Sequence, residues 1–478
     1  RFWVRRDLRL TDIPGLAAAI KRAEENVILL YVRETTPSLR DLGGASKWWL
    51  DKSLQTLASD IEALGGQLVL RTGEAKDIIA DVLEETGAEA VYWNRRYDLA
   101  GRDVDAAIKT DLKAQSIEVE SFNGTVLTAP WTQTTGSGGY YKVYSPYWRS
   151  VLANFACPAP VPTPQAFANL GISSEQIEDW GFHPARPDWS TGFSTNWMPG
   201  EAGAKARRGH FLEGPVNRYI DDRNRPDRED GTSGLSPHLA FGEISPAQIW
   251  RTTQSRIDAG SLDESNARKF LSEVGWRDFS YVLLFHNPDL ATQNFKSDFN
   301  QMPWDDDAAL LEAWQTGQTG YPIVDAGMRQ LWATGWMHNR VRMIVASFLT
   351  KHLLIHWQRG EDWFWDTLVD ADPASNSASW QWTAGSGADA APYFRIFNPI
   401  TQGEKFDETG DYVRKWCPEL ARLPRKYLYQ PWEAGPLVLH EAGVKLGENY
   451  PEPIVDHKAG RQRALEAYEI LKERRDAA

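Results

Sequence analysis

Residues Asp370 to Pro399 read DADPASNSASWQWTAGSGADAAPYFRIFNP, a stretch that sets Trp380 and Trp382 in a near-gapless run of Ala, Ser and Gly. Small residues beside paired indoles leave room for a flat group to lie close to the backbone. Taken alone, the two indoles read equally well as core aromatics, and Gly385 and Gly387 as turn or close-packing positions.

The rest of the chain narrows the choice. Of 478 residues, 22 are Trp, and indoles are favoured where flat ligands or bases stack. A hydrophobic fraction of 42% supplies ample core and excludes a disordered chain. The net charge of −13 speaks against a broadly basic nucleic-acid binder, yet a local basic face can still hold DNA on an acidic protein. The two cysteines, Cys157 and Cys417, make no disulfide framework, and no Cys or His cluster has metal-site spacing. No metal is expected, and a reducing cytoplasm suits the chain. The longest apolar run, Met343 to Trp357, is broken by Lys351, His352 and His356 and is too short to span a bilayer.

Over the first 130 or so residues, short β-branched runs alternate with amphipathic ones. The runs Phe2–Val4, Val27–Val32, Gln67–Arg71, Ala90–Trp93 and Glu118–Phe122 predict strands; Pro14–Glu25, Lys47–Leu64, Ala75–Thr86 and Asp103–Gln115 predict helices. Strands separated by helices imply a parallel sheet covered on both faces. From about Thr128 to Glu201 the chain is rich in Pro, Gly and Ser with little periodicity, and beyond it the pattern is helical. Val341, Ile344, Val345, Phe348, Leu349 and Leu353 fall at helical spacing and are expected in a core; Arg461 to Arg475 predicts a charged helix with one solvated face. The expected class is α/β plus all-α: a Rossmann-like parallel domain at 1–128, a connector at 129–200 and an all-helical domain at 201–478.

The hexapeptide Thr232-Ser233-Gly234-Leu235-Ser236-Pro237 has phosphate-cradle chemistry: hydroxyls, a Gly for close approach, and a Ser-Pro helix start; it also reads as an ordinary capped helix.

Asn376 four residues before WQW, then GADAAPYFRIFNP and TQGEKFD, resemble the flavin-binding end of the photolyase and cryptochrome family. The likeness continues through GYPIVDAGMRQLWATGWMHNRVRMIVASF (Gly320 to Phe348), WRDF (Trp276 to Phe279) and FWVRRDLRLTD at the N-terminus, covering nearly the whole chain in the family's order. It implies an antenna-binding N-terminal domain and an FAD-binding catalytic C-terminal one. It also implies FAD held by Tyr219, Thr232, Ser233, Gly234, Leu235, Ser236, Arg277, Arg342, Asp370, Asp372 and Asn376, active in its reduced anionic form. Arg342 and Asp370 resemble the ion pair beside the flavin ring, Asp372 its pyrimidine-edge partner, and Asn376 the residue opposite N5. An Asn there is similar to the repair enzymes, where plant cryptochromes carry Asp and animal ones Cys.

Family repair transfers one electron from photoexcited reduced FAD to a pyrimidine dimer flipped out of UV-damaged DNA. The resemblance gives Glu273 as a protonated donor to the dimer in apolar surroundings, Trp276 and Trp382 as its walls, Asn339 as a base-edge partner and Met343 as filler. Asn339 in WMHN, where the (6-4) branch has His, points to cyclobutane dimers; His338 lies one position early. Trp380, Trp357 and Trp304 match the electron-carrying tryptophan chain, and Arg223, Arg340 and Arg395 resemble DNA phosphate contacts, although each also reads as a solvated surface residue. The antenna expected is methenyltetrahydrofolate, held against Trp48 or Trp93, with deazaflavin as alternative, since Tyr97 to Asp103 lacks the Asn-Glu pair of the folate-binding bacterial enzymes. A monomeric cyclobutane-dimer photolyase of class I or class III is the reading favoured, ahead of a blue-light receptor without repair activity and of a flavin oxidoreductase for a small molecule.

Overall fold

Five apolar runs become the parallel strands β1 (Phe2–Val4), β2 (Leu29–Glu34), β3 (Leu68–Gly73), β4 (Ala90–Asn94) and β5 (Glu118–Phe122), ordered β3-β2-β1-β4-β5. Phe2 lies opposite Leu29 on one side and Tyr92 on the other. The connecting helices are α1 (Pro14–Ala23), α2 (Gly44–Ala63), α3 (Ala75–Thr86) and α4 (Leu99–Ala114). β2 and β3 run on to Glu34 and Gly73 because their ladder continues through Arg33 with Thr72. α4 starts earlier than its apolar pattern suggests because Asp98 caps it, accepting from Gly101 N at 2.7 Å. The computed structural model describes residues 1–476.

The chain forms two units that are discontinuous in sequence: the first comprises Arg1–Asn217, Ser233–Pro288 and Val369–Ala374, the second Arg218–Thr232, Asp289–Leu368 and the chain from Ser375 onward. In the first, Trp3 and Trp93 meet edge to face at 5.7 Å in a core with Ile28, Leu30, Val91, Ile108 and Leu112. At the C-terminal ends of the strands the buried charges are matched: Asp105 accepts from Arg5 and Arg96, each at 2.7 Å, Arg96 also reaches Glu34 at 2.6 Å, and Asp7 takes Asn94 Nδ2 at 2.7 Å. Where the sequence showed little periodicity, an 11-residue helix, Tyr144–Asn154, buries Tyr144, Tyr147 and Val151. A 23-residue helix, Glu264–His286, starts at the Asp263 cap and buries an Asp278 that accepts from Leu127 N at 2.7 Å and Thr128 N at 3.1 Å.

The second unit is helical, and Val341, Ile344, Val345, Phe348, Leu349 and Leu353 are all buried as their spacing requires. Helix Asn339–Ser347 continues as a π-helical turn, Phe348–His352. The final helix, His457–Asp476, packs Ala464, Ala467 and Leu471 against Phe299, Met302 and Tyr393 and leaves its charged face to solvent. Among the described residues no helix is long and apolar enough to cross a membrane, and no cluster of His, Cys, Asp and Glu could hold a metal ion.

Helix Trp357–Thr367 lies against helix Ser375–Ala384 through Gly360, where an added Cβ would fall inside van der Waals contact of the Trp380 ring. Alanine in a helix interior gains about 1 kcal/mol over glycine, whereas overpacking a rigid core costs about 1–3 kcal/mol. Because indole is rigid, the clash wins. Gly360→Ala is expected to lower the unfolding free energy by up to about 2 kcal/mol, measured by urea titration; a stabilised variant would contradict this packing.

Candidate functional site

In the first unit, Gly234 takes a left-handed conformation (φ 62°) and Leu235 N donates to Ser233 Oγ at 3.3 Å. The short helix Ser236–Ala240 follows with no side chain capping its start. Beneath it His238 bonds Glu243, which also takes Trp49 Nε1 at 2.8 Å, so a buried polar relay fixes the turn from below. Leu235 is buried and Ser236 exposed.

On helix Glu264–His286, Trp276 stacks on Tyr144 at 3.9 Å. Arg277 donates to Thr125 O at 2.6 Å and lies 3.8 Å from Asp372, which also accepts from Tyr281 Oη at 2.7 Å. Burial, followed by the charge of Asp372, pushes the Tyr281 phenol well above its usual range, so it stays a donor. Arg6 donates to Ala371 O at 3.3 Å, tying down the segment that carries Asp370 and Asp372. Glu273 faces Lys269 at 2.7 Å, an ion pair where the sequence reading expected an apolar setting.

In the second unit the anchor is Glu361, 1% exposed, a residue that no pattern in its neighbourhood marks out. Asn376 Nδ2 donates to its Oε1 at 2.9 Å and to its carbonyl at 3.0 Å, and Ser377 Oγ donates to the same carboxylate at 3.1 Å. The amide is thereby oriented, with Oδ1 left to accept. One turn on, Trp380 touches Phe364 at 5.0 Å and Trp314 at 6.0 Å. Trp314, fully buried and bonded to Val345 O at 3.0 Å, also went unselected: EAWQTG has no pattern distinguishing it from core. Trp357 is fully buried and donates to Asn294 Oδ1 at 2.9 Å; His356 touches both it (5.5 Å) and the half-buried Trp304 (5.1 Å). Trp382 is half-buried.

His338 caps helix Asn339–Ser347, accepting from Arg340 N at 3.1 Å. Asn339 is exposed, its Nδ2 4.0 Å from Met343 Sδ, so the two share one face. Arg342 Nε donates to Met337 O at 2.7 Å and its guanidinium lies 5.8 Å from Trp336. Arg340 grips Asn224 Oδ1 at 2.8 and 3.2 Å and covers Phe406 at 4.4 Å; burial, then the neighbouring Arg223, lower its pKa. Arg223 lies 5.5 Å from the buried Tyr219 ring, Thr232 is half-buried, and Arg395 is exposed.

Residues 2–165 match the DNA photolyase family, and residues 270–470 the FAD-binding domain of DNA photolyase. The chain is 50% identical to a deoxyribodipyrimidine photo-lyase of Agrobacterium fabrum, over 98% of this chain and 97% of the relative. It is 36% identical to cryptochrome-2 of Arabidopsis thaliana, over 98% of this chain and 79% of that protein. The crystal structure of a bacterial class III photolyase from Agrobacterium tumefaciens superposes with a TM-score of 0.95 at 50% identity, covering 99% of this chain and 97% of the other.

The buried histidines give the second unit a pH signature. Burial, with Arg340, Arg342 and Arg223 adding repulsion, brings His338 down to about 3; burial, His457 and Lys351 do the same to His352. An unfolded chain takes up these protons as pH falls through about 6.5, and the folded chain refuses them until about 3. Stability is therefore expected to fall across that window, by up to about 1.4 kcal/mol per pH unit per histidine. His338→Asn, which keeps a cap, should make the decline shallower in urea titrations between pH 7 and 4; an unchanged slope would remove His338 from the account.

Proposed function

The chain belongs to the DNA photolyase family, and from that premise we propose that it is a deoxyribodipyrimidine photolyase, a carbon–carbon lyase that uses blue light to reverse cyclobutane pyrimidine dimers in DNA. The observation that carries this is its near-full-length identity to a photo-lyase, well above its identity to the plant cryptochrome. We read 1–128 as the antenna-binding domain, 129–200 as the connector and 201–478 as the FAD-binding catalytic domain, in a monomer of the cytoplasm. The antenna is methenyltetrahydrofolate, with deazaflavin the alternative. Trp48 and Trp93 are each 1% exposed and each packed in a core, so burial does not separate the two indoles considered for the folate.

The residues suit FAD. Because Glu361 holds the Asn376 amide by its nitrogen, Oδ1 is the atom left for an N–H donor, which position N5 of a reduced flavin ring would offer and the same position of an oxidised one would not. Reduced FAD, once excited, supplies the single electron that splits the dimer. Tyr219, Thr232, Ser233, Gly234, Leu235 and Ser236 would hold its pyrophosphate, the left-handed Gly234 letting backbone approach. Arg277, Arg342, Asp370 and Asp372 would surround the ring; the positive charge of Arg342 favours the anionic reduced form. Trp276 and Trp382 would stack on the dimer, Glu273 and Asn339 would hydrogen-bond it, and Met343 would exclude water. For Glu273 to donate, Lys269 must yield its ion pair when the lesion arrives.

Trp380, Trp357 and Trp304 would carry electrons inward when the flavin is oxidised; two are enclosed and Trp304 is half-buried, which suits Trp304 as the end that meets solvent. Arg223, Arg340 and Arg395 would contact phosphates. Arg340, repelled by Arg223 and bonded to a neutral amide, gains most from an anion.

The deciding experiment follows cyclobutane dimers in irradiated oligothymidine with the flavin chemically reduced, in blue light and in darkness. Loss of dimers only in light is expected; FAD binding and photoreduction without repair would mean a receptor. Glu273→Ala should keep FAD and reduce repair roughly ten- to hundredfold, the worth of a hydrogen bond to a charged group; unchanged repair removes it from the mechanism. Trp380→Phe should abolish photoreduction of oxidised flavin yet spare repair by enzyme reduced beforehand, and normal photoreduction would refute the proposed path.

A further inference from the structure

In the second unit, the segment 385–397 turns two side chains inward and two outward. Tyr393, 2% exposed, stacks on Tyr468 at 4.8 Å and meets Phe299 at 6.0 Å, and Ile396 packs against the same cluster. Between them Phe394 and Arg395 are exposed, on a tight turn in which Arg395 N donates to Pro392 O at 2.9 Å. Each end of the segment is tied to a lysine through a carbonyl: Lys296 Nζ donates to Gly385 O at 3.2 Å, and Lys351 Nζ to Arg395 O at 3.1 Å. The two ties differ in setting. Lys296 is exposed and has Asp389 as counter-charge, whereas Lys351 is 1% exposed, on the π-helical turn Phe348–His352.

Lys351 makes one hydrogen bond among the described residues, to that carbonyl, and its ammonium lies 5.3 Å from the Tyr393 ring. Its surroundings bring it no free acid. Helix Asn339–Ser347 carries Arg340 and Arg342; helix Trp357–Thr367 carries Glu361, taken by Asn376 and Ser377, with Asp362 and Asp366 exposed. The final helix carries His457, bonded to His352 at 2.8 Å, and Arg463, which donates to His352 O at 2.8 Å. Burial, then the like charge of Arg395, bring the Lys351 pKa down to about 7. The ammonium that grips the Arg395 carbonyl is therefore given up near neutral pH, and a neutral amine is the weaker donor. A phosphate on the Arg395 guanidinium cancels the repulsion, so an anion at Arg395 and a proton at Lys351 favour each other.

We propose that Lys351 is the positioning residue of Arg395: its ammonium holds the turn 393–396 so that Arg395 meets a DNA phosphate, and engagement of that phosphate takes up a proton at Lys351. This rests on the reading of Arg395 as a phosphate contact. Affinity for DNA then declines as pH rises through about 7. The contribution of Lys351 to stability moves the other way, rising between about pH 7 and 10, because there the unfolded chain keeps a proton that the folded chain has released. A lysine that only supported the fold would move binding and stability together.

The test is binding of labelled, irradiated oligothymidine to the full-length FAD-loaded protein in darkness, followed by fluorescence anisotropy between about pH 6 and 8.5. Wild type should lose about three- to tenfold in affinity across that range, the reach of a single linked proton. Lys351→Met, which fills the buried space without the charge, should bind about tenfold more weakly at pH 6 and give a flatter profile. Arg395→Ala, at an exposed side chain, should weaken and flatten binding in the same way, and adding Lys351→Met to it should change nothing further. A wild-type affinity that is constant with pH, or a decline that Arg395→Ala or Lys351→Met retains, overturns the proposal. Weakened binding in Arg395→Ala with none in Lys351→Met refutes the positioning role alone. Arg395→Ala that binds as wild type refutes the phosphate contact and the proposal with it, while light-driven repair by wild type, scored separately, decides the repair reading.

Discussion

A carboxylate buried at Glu361 must be surrounded by donors, and the donors the second unit uses are Asn376 and Ser377, in the first turn of the next helix. Removing either would take one hydrogen bond from a buried charge, at a cost of about 1.5–3 kcal/mol. The requirement clamps helix Trp357–Thr367 to helix Ser375–Ala384, and Gly360, one residue before Glu361, lets the clamp close on Trp380. One polar constraint therefore sets both the orientation of an amide and the position of an indole.

The first unit meets a similar demand in another way. Ion pairs among Arg5, Arg96, Asp105 and Glu34 occupy the ends of the strands, where open α/β sheets ordinarily receive ligands. Arg5 also covers Trp3 at 4.4 Å, so cations close the sheet's apolar core from above.

The α/β half was legible because strands buried on both faces leave unbroken β-branched runs, as in Val27–Val32 and Ala90–Trp93. Its errors lay at ends decided by capping or pairing, such as the Asp98 start of α4 and the extension of β2 to Glu34. Helix Tyr144–Asn154 was hidden because its buried stripe is two tyrosines and one valine among Pro and Gly. The candidate site residues came from likeness to a family, since single polar residues carry no periodicity. Glu361 in GEDWFWD reads as a solvated charge, and only the fold places it beneath Asn376. The setting of Glu273 escaped for a related reason: one helical turn lies between it and Lys269, and whether that pair closes is a matter of side-chain conformation.

The chain passes between its two units five times, and the last visit to the first unit is only six residues long, Val369–Ala374. Those six residues bring Asp372 to Arg277 and Tyr281, which precede it by more than ninety positions. During synthesis the first unit therefore waits for its final polar anchor until nearly half of the second has been made. Pairings so remote in sequence close slowly, because their loop entropy is lost before any contact repays it. No single cut in the chain leaves both halves whole, so this architecture passes between genes as one piece, and its sites cannot be traded as separate modules.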